Sequence, residues 1–165
     1  MLVYGMKRPQ SFIGITALIK ERHDILGMRM NRGEFQSLAT ERLEDAAALL
    51  KAERYAGAYY VSGYAIECAL KACIAAKTKQ DEFPPKEAAK YYVHDLPKLL
   101  DFAGLAPAFE LDAGRDPALG ANWAIVKDWT EEARYAGRGE QQAREILGAI
   151  NDVRHGVLQW LKRSW

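Results

Sequence analysis

Between Tyr55 and Ala76 the chain reads YAGAYYVSGYAIECALKACIAA, 22 residues with only two charges, Glu67 and Lys71. A stretch this apolar has to be enclosed, by protein or by lipid. Its two charges stand four apart with the acid first, which on a helix stacks them favourably one turn apart. At about 100° per residue, Tyr59, Gly63, Ile66, Leu70 and Cys73 share one face. Tyr60, Tyr64, Glu67 and Lys71 run along its flank. The small residues Gly57, Ala58, Gly63, Ala65, Ala69 and Ala72 let neighbouring helices approach closely. An ionisable pair near the middle is expensive in lipid, and no other segment is comparably apolar. The stretch therefore reads as the central helix of a bundle, with a polar seam beside its core face, and no membrane span is expected.

A chain of 165 residues, 49% apolar and 27% charged, is long enough to bury a real core in one folding unit. Its net charge of +1 is unevenly spread. Residues 1–32 hold six basic and two acidic groups, whereas the rest holds 17 basic and 20 acidic. The body is thus mildly acidic and lacks the broad basic surface of a general nucleic-acid binder. Residues 1–30 read as a basic N-terminal extension, either a disordered tail or a stretch ahead of a true start at Met30. Residues 31–165 read as the folded body. No continuous apolar run precedes a small-residue cleavage site, so no signal peptide is expected. Cys68 and Cys73 point about 140° apart on one helix, which disfavours a mutual disulfide or a metal clip. A reducing cytoplasm fits best.

From Asn31 onward the pattern is helical. Asn31 and Glu34 are placed as a cap and its return partner. Phe35, Leu38, Ala39, Leu43, Ala46, Leu49 and Leu50 predict a helix ending near Arg54, which forms an antiparallel hairpin with the central helix. A polar turn closes at Pro84–Pro85, and 86–92 allow a short helix. Asp95 with Pro97 opens a helix stopped by Gly104. Asp116–Pro117 starts another, carrying Leu119, Trp123, Val126 and Ala133. The last runs from Glu140 to about Lys162, with Ala143, Ile146, Leu147, Ile150, Val153, Val157 and Leu161 on one face. The expected class is all-α: an up-and-down antiparallel four-helix bundle with short extra helices.

Several pieces in this order resemble a known family. They are ERLEDAAALLKAERYAGAYYVSGYAIECALKACI, FPP, YYVHDLPKLL with AGL, NWAIVKDWTEEARY, and the terminal GVLQWLKRSW. Together they are similar to a HEPN domain (the higher-eukaryote and prokaryote nucleotide-binding helical domain) over 31–165. The resemblance implies a helical bundle, frequently a homodimer. Several branches of that family are ribonuclease toxins, and many are encoded beside a minimal nucleotidyltransferase that neutralises them. The family's ribonuclease signature is an arginine followed four to six residues later by a histidine. This chain lacks it: His23 and His155 have only the adjacent Arg22 and Arg154, and no arginine closely precedes His94. Metal-independent cleavage needs a cation for the phosphorane charge and an imidazole for proton transfer, and the usual spacing does not supply them.

Four groups of side chains carry chemistry worth weighing. Tyr60, Tyr64, Glu67 and Lys71 could line a groove for a nucleotide or RNA, with Lys71 on phosphate and a tyrosine stacking a base. The blander reading is a structural ion pair that sets register. His94, beside Asp95 at a helix start, is either an acid–base group or part of a local cap. Arg134 and Tyr135, after Trp129, either hold phosphate and base or pair with Glu131 or Glu67 and fill core. Arg154–His155 is either part of a composite site across a dimer or a solvated helix face. Gly148 and Gly156, eight apart, mark close helix packing or a dimer seam. Three scattered histidines without ligand-spaced companions predict no metal site, and the absence of a phosphate-binding Gly-rich loop predicts no bound cofactor.

The leading expectation is a non-catalytic or partner-dependent HEPN-like module that engages a nucleotide, RNA or a cognate nucleotidyltransferase. A second is a ribonuclease toxin with a rearranged site drawn from Lys71, His94, Arg134 and His155. A third is a homodimeric scaffold.

Overall fold

The computed structural model describes residues 30–78, 83 and 88–165. All regular structure among them is helical. The α-helices are α1 (Arg32–Lys51), α2 (Tyr55–Ala75), α3 (Leu96–Phe102), α4 (Ala106–Arg115), α5 (Pro117–Val126), α6 (Glu140–Asn151) and α7 (Val157–Leu161). Turns of 3-10 helix occupy Ala88–Tyr91 and Glu131–Tyr135. The all-α class read from the sequence is the class observed. The basic leader through residue 29 and the turn at Pro84–Pro85 lie outside the described residues. No helix among the described residues is long and apolar enough to cross a membrane.

The first helix begins as its cap predicts. Asn31 Oδ1 accepts from the Glu34 amide at 3.0 Å, and Glu34 Oε2 accepts from the Asn31 amide at 2.7 Å, which satisfies two of the exposed amide donors of the helix start. After Lys51 the chain reverses through Glu53, whose φ of 59° lies in the left-handed region. The reversal lays α2 along α1, the most extensive helix pair among the described residues, and α2 also touches α3, α6 and α7. Burial explains its composition: Ile66, Leu70 and Cys73 on the expected face are buried, and so are Ala58, Ala65, Ala69 and Ala72 around it. Each full-sized apolar side chain enclosed this way stabilises the fold by about 1.5–3 kcal/mol.

Gly63 answers to a single neighbour. A Cβ there would come within 2.1 Å of the Trp129 ring, itself only 1% exposed. A glycine on α2 thus lets a tryptophan lie flat against helix backbone.

The chain departs from the expected elements in three places. The helix opened by Asp116, whose Oδ1 accepts from the Ala118 and Leu119 amides at 3.2 Å each, ends at Val126 and does not reach Ala133. The chain turns there, carries Trp129 into the core, and is extended at Thr130 (φ −135°, ψ 161°) before the 3-10 turn. A helix at Ala106–Arg115, with Pro107 in its first turn, occupies a stretch to which the sequence reading assigns no element. The terminal helix is two, not one. Asp152 Oδ1 accepts from the Arg154 and His155 amides at 2.8 and 2.7 Å and makes a turn between α6 and α7. Gly156 closes that turn where a Cβ would meet the Asp152 and Ile150 carbonyl oxygens at 2.3 and 2.7 Å. Val153, expected on the core face, therefore sits on the turn and is 88% exposed. Gly156 is a turn residue, and Gly148 has nothing within 4 Å, so the two do not form a close-packed seam inside the chain.

Candidate functional site

Spacings of four, three and four place Tyr60, Tyr64, Glu67 and Lys71 along one flank of α2. The buried carboxylate of Glu67 is the centre of this seam. Its Oε1 accepts from Lys71 Nζ at 2.6 Å and its Oε2 pairs with His94 Nδ1 at 2.8 Å. The Glu67 side chain is 4% exposed and that of Lys71 11%, so the ammonium is already neutralised where it sits. His94 keeps 41% of its side chain exposed. It arrives from the extended segment ahead of α3, where Asp95 caps the helix through the Lys98 amide at 2.9 Å. That bond, first among several to Lys98, holds the Asp95 carboxyl below its ordinary range.

Aromatic rings extend the seam. The Tyr60 hydroxyl donates to that of Tyr64 at 3.3 Å, and the Tyr64 ring meets His94 edge-on at 6.0 Å and Trp129 at 5.0 Å. Burial, followed by the Tyr60 hydrogen bond, pushes the Tyr64 phenol well above its usual pKa, so it stays neutral. Arg134 reaches the outer end of this row from the 3-10 turn. Its guanidinium lies 4.7 Å over the Tyr135 ring. Hydrogen bonding to Tyr135, and next to Tyr60, raises its pKa above the ordinary value. The partners of Arg134 are tyrosines, not the Glu131 or Glu67 carboxylates allowed by the sequence. Tyr135 is 79% exposed, which rules out the core-filling reading for that ring.

A groove of about 720 Å³ opens beside the seam, between residues 92–97 and 127–132. Of the residues nominated from sequence, His94 alone lines it. Asp95, Asp128, Glu131 and Glu132 on its wall outnumber Lys127, so the groove is acidic. Trp129 also lines it, and its buried indole N–H has no acceptor among the described residues. Burying a donor without an acceptor is costly; the sequence placed Trp129 beside Arg134 and Tyr135 but carried no sign that its N–H would be left unpaired.

The structure therefore brings Tyr60, Tyr64, Glu67, Lys71, His94, Arg134 and Tyr135 into one continuous array. It does not bring His155 there. His155 Nδ1 pairs with Asp116 at 2.8 and 3.0 Å and joins none of the seam's hydrogen bonds or ring contacts, so the rearranged site of Lys71, His94, Arg134 and His155 is not assembled within one chain. Arg154 stands exposed on the turn beside it. Asp116, read from sequence only as a helix start, is its missed partner.

Both cysteines are free thiols, and burial pushes Cys68 up to about 11 and Cys73 up to about 12. Among the described residues no three His, Cys, Asp or Glu side chains converge to hold a metal ion. Comparison of the chain with family models, with curated proteins and with solved structures returned no match.

Proposed function

We propose that the protein is a HEPN-like binding module, an up-and-down four-helix bundle that acts in the cytoplasm as a homodimer and holds a nucleotide or RNA without cleaving it. A single observation carries this reading. Arg134 is an exposed cation tied only to the hydroxyls and ring of tyrosines, with no carboxylate paired to it among the described residues. Such a guanidinium is free to take a phosphate in bidentate fashion, and the exposed Tyr135 ring beside it offers a face for a base. Lys71 is withdrawn from that role by Glu67, so the phosphate contact belongs to the turn and not to α2. The acidic groove next to it repels a phosphate backbone, which confines the nucleic-acid contact to a few nucleotides. The same groove suits a basic segment of a protein partner, the place a minimal nucleotidyltransferase would take.

A second reading rests on the Glu67–His94 pair. A carboxylate holding one imidazole nitrogen orients the other, the arrangement of a general base and its positioning group. That geometry favours the ribonuclease alternative, with Arg134 as the cation. Incubating labelled RNA with the full chain separates the two. Retarded but intact RNA is expected. Cleavage that disappears in His94→Ala would replace the binding module with a ribonuclease.

A further inference from the structure

We infer that the cleft between α4, α5 and α7 is a second ligand site, taking the phosphate group of a small molecule on Arg115, Arg154 and Arg163. This cleft, of about 430 Å³, shares no residue with the seam or its groove, and its size falls in the range of small-molecule sites, roughly 300–1,000 Å³.

Its charge is the first argument. In a body where acidic groups outnumber basic ones, the walls of this cleft carry three arginines against Asp112 and Asp116. The second argument is where those two carboxylates point their lone pairs. Asp112 Oδ2 accepts from the Trp160 indole at 2.8 Å and stands 3.5 Å from Arg163. Asp116 accepts from His155 and from the Ala118 and Leu119 amides, and the His155 bond above all holds its carboxyl below the ordinary range. Both acids are engaged by the protein itself. Arg115 and Arg154 form no ion pair within 4 Å among the described residues, although the Arg154 charge acts on Asp152 across the turn, and the Arg163 contact is long. A dianion entering the cleft thus meets cations that need not first break a strong ion pair.

The third argument is position. Arg154 is held on the Asp152 turn by the hydrogen bonds that its own and the His155 backbone N–H donate to Asp152 Oδ1, and a Cβ at Gly156 would clash with that turn. Asn122 Nδ2 donates to the His155 carbonyl at 2.9 Å and ties the turn to α5. Arg154 is therefore presented from a braced turn, between Arg115 at the end of α4 and Arg163 just after α7, an arrangement suited to recognition of a phosphate.

The test uses the full chain, titrated with inorganic phosphate and, separately, with a nucleoside monophosphate. The indole N–H resonance of Trp160 reports locally and calorimetry gives affinity. Both probes should shift that resonance, and Arg115→Gln and Arg154→Gln should each weaken binding by about tenfold without lowering the melting temperature. Arg144→Gln, on the exposed side of α6 and outside both the cleft and the seam, should leave the Trp160 shift unchanged. Binding by the monophosphate alone would overturn the inference, because the cleft would then be recognising something other than phosphate. Two further results would overturn it. One is the absence of any shift at about 10 mM probe. The other is a Trp160 shift that survives the Arg115→Gln/Arg154→Gln pair.

Discussion

Glu67 shows how much depends on one carboxylate in an apolar helix. It neutralises Lys71 and positions His94 while almost wholly shielded from water. Truncating one partner of a buried pair leaves the other charge uncompensated, at a cost of about 3–5 kcal/mol. Glu67→Ala is therefore expected to lower the unfolding free energy by about 3 kcal/mol in urea titration. Adding Lys71→Leu should restore much of it, because the stranded charge is then gone. If Glu67→Ala is as stable as the parent, the seam is not a buried ion-pair network. Gly63 makes the complementary point about space. The methyl of Gly63→Ala overlaps the Trp129 ring, and a buried indole cannot swing away cheaply. Overpacking of this kind costs about 1–3 kcal/mol, read as a lower urea midpoint with an unchanged slope. A neutral Gly63→Ala would show that Trp129 does not lie against α2.

At the scale of elements, local signals and long-range ones part company. The Asn31–Glu34 box, the Asp95 and Asp116 caps and the run of small residues in α2 were legible because each acts within a turn or along one face. The polar flank of α2 was legible for the same reason, as a spacing of four, three and four. The sequence grouped Lys71 with His94 and Arg134, but the Glu67–His94 and Arg134–Tyr60 contacts that join them were not legible, since those residues lie about 30 and 70 positions along the chain and meet the flank only through packing. The break between α6 and α7 was missed because an unbroken apolar period runs through it. An Asp side chain competing for two amides, and a glycine with no space, override that period. The same caps predict a pH response. Asp95, Asp116 and Asp152 are depressed in the folded state, by amide donors and, for Asp116, foremost by His155. Their stabilisation is complete above the ordinary value of 3.8 and is lost as pH falls through the lower folded values. Melting temperature should drop in that acidic window, and Asp116→Asn should show a shallower drop. An identical acid profile in the variant would mean that the His155–Asp116 pair does not persist in solution.

Among the described residues, one apolar core holds apart the seam on α2 and the arginine cleft. The core, built on α2 with residues from α1 and α3 to α7, places the tyrosine–arginine seam on one flank of α2 and the arginine cleft around α4, α5 and α7. Neither place offers a reactive thiol, since burial keeps Cys68 and Cys73 protonated at neutral pH. Alkylation of the native chain should be slow at both positions and become fast only on unfolding. Rapid native labelling would show that α2 is more open than its burial indicates.

The central claim is that Arg134 is a ligand residue and not part of the scaffold. Fluorescence anisotropy of a short labelled single-stranded RNA, titrated with the full chain and with Arg134→Ala, tests it most directly when each protein's melting temperature is recorded alongside. We predict binding that weakens by about tenfold or more in the variant while the melting temperature is unchanged. Equal affinity in the two proteins, or an Arg134→Ala chain that unfolds, would contradict the account.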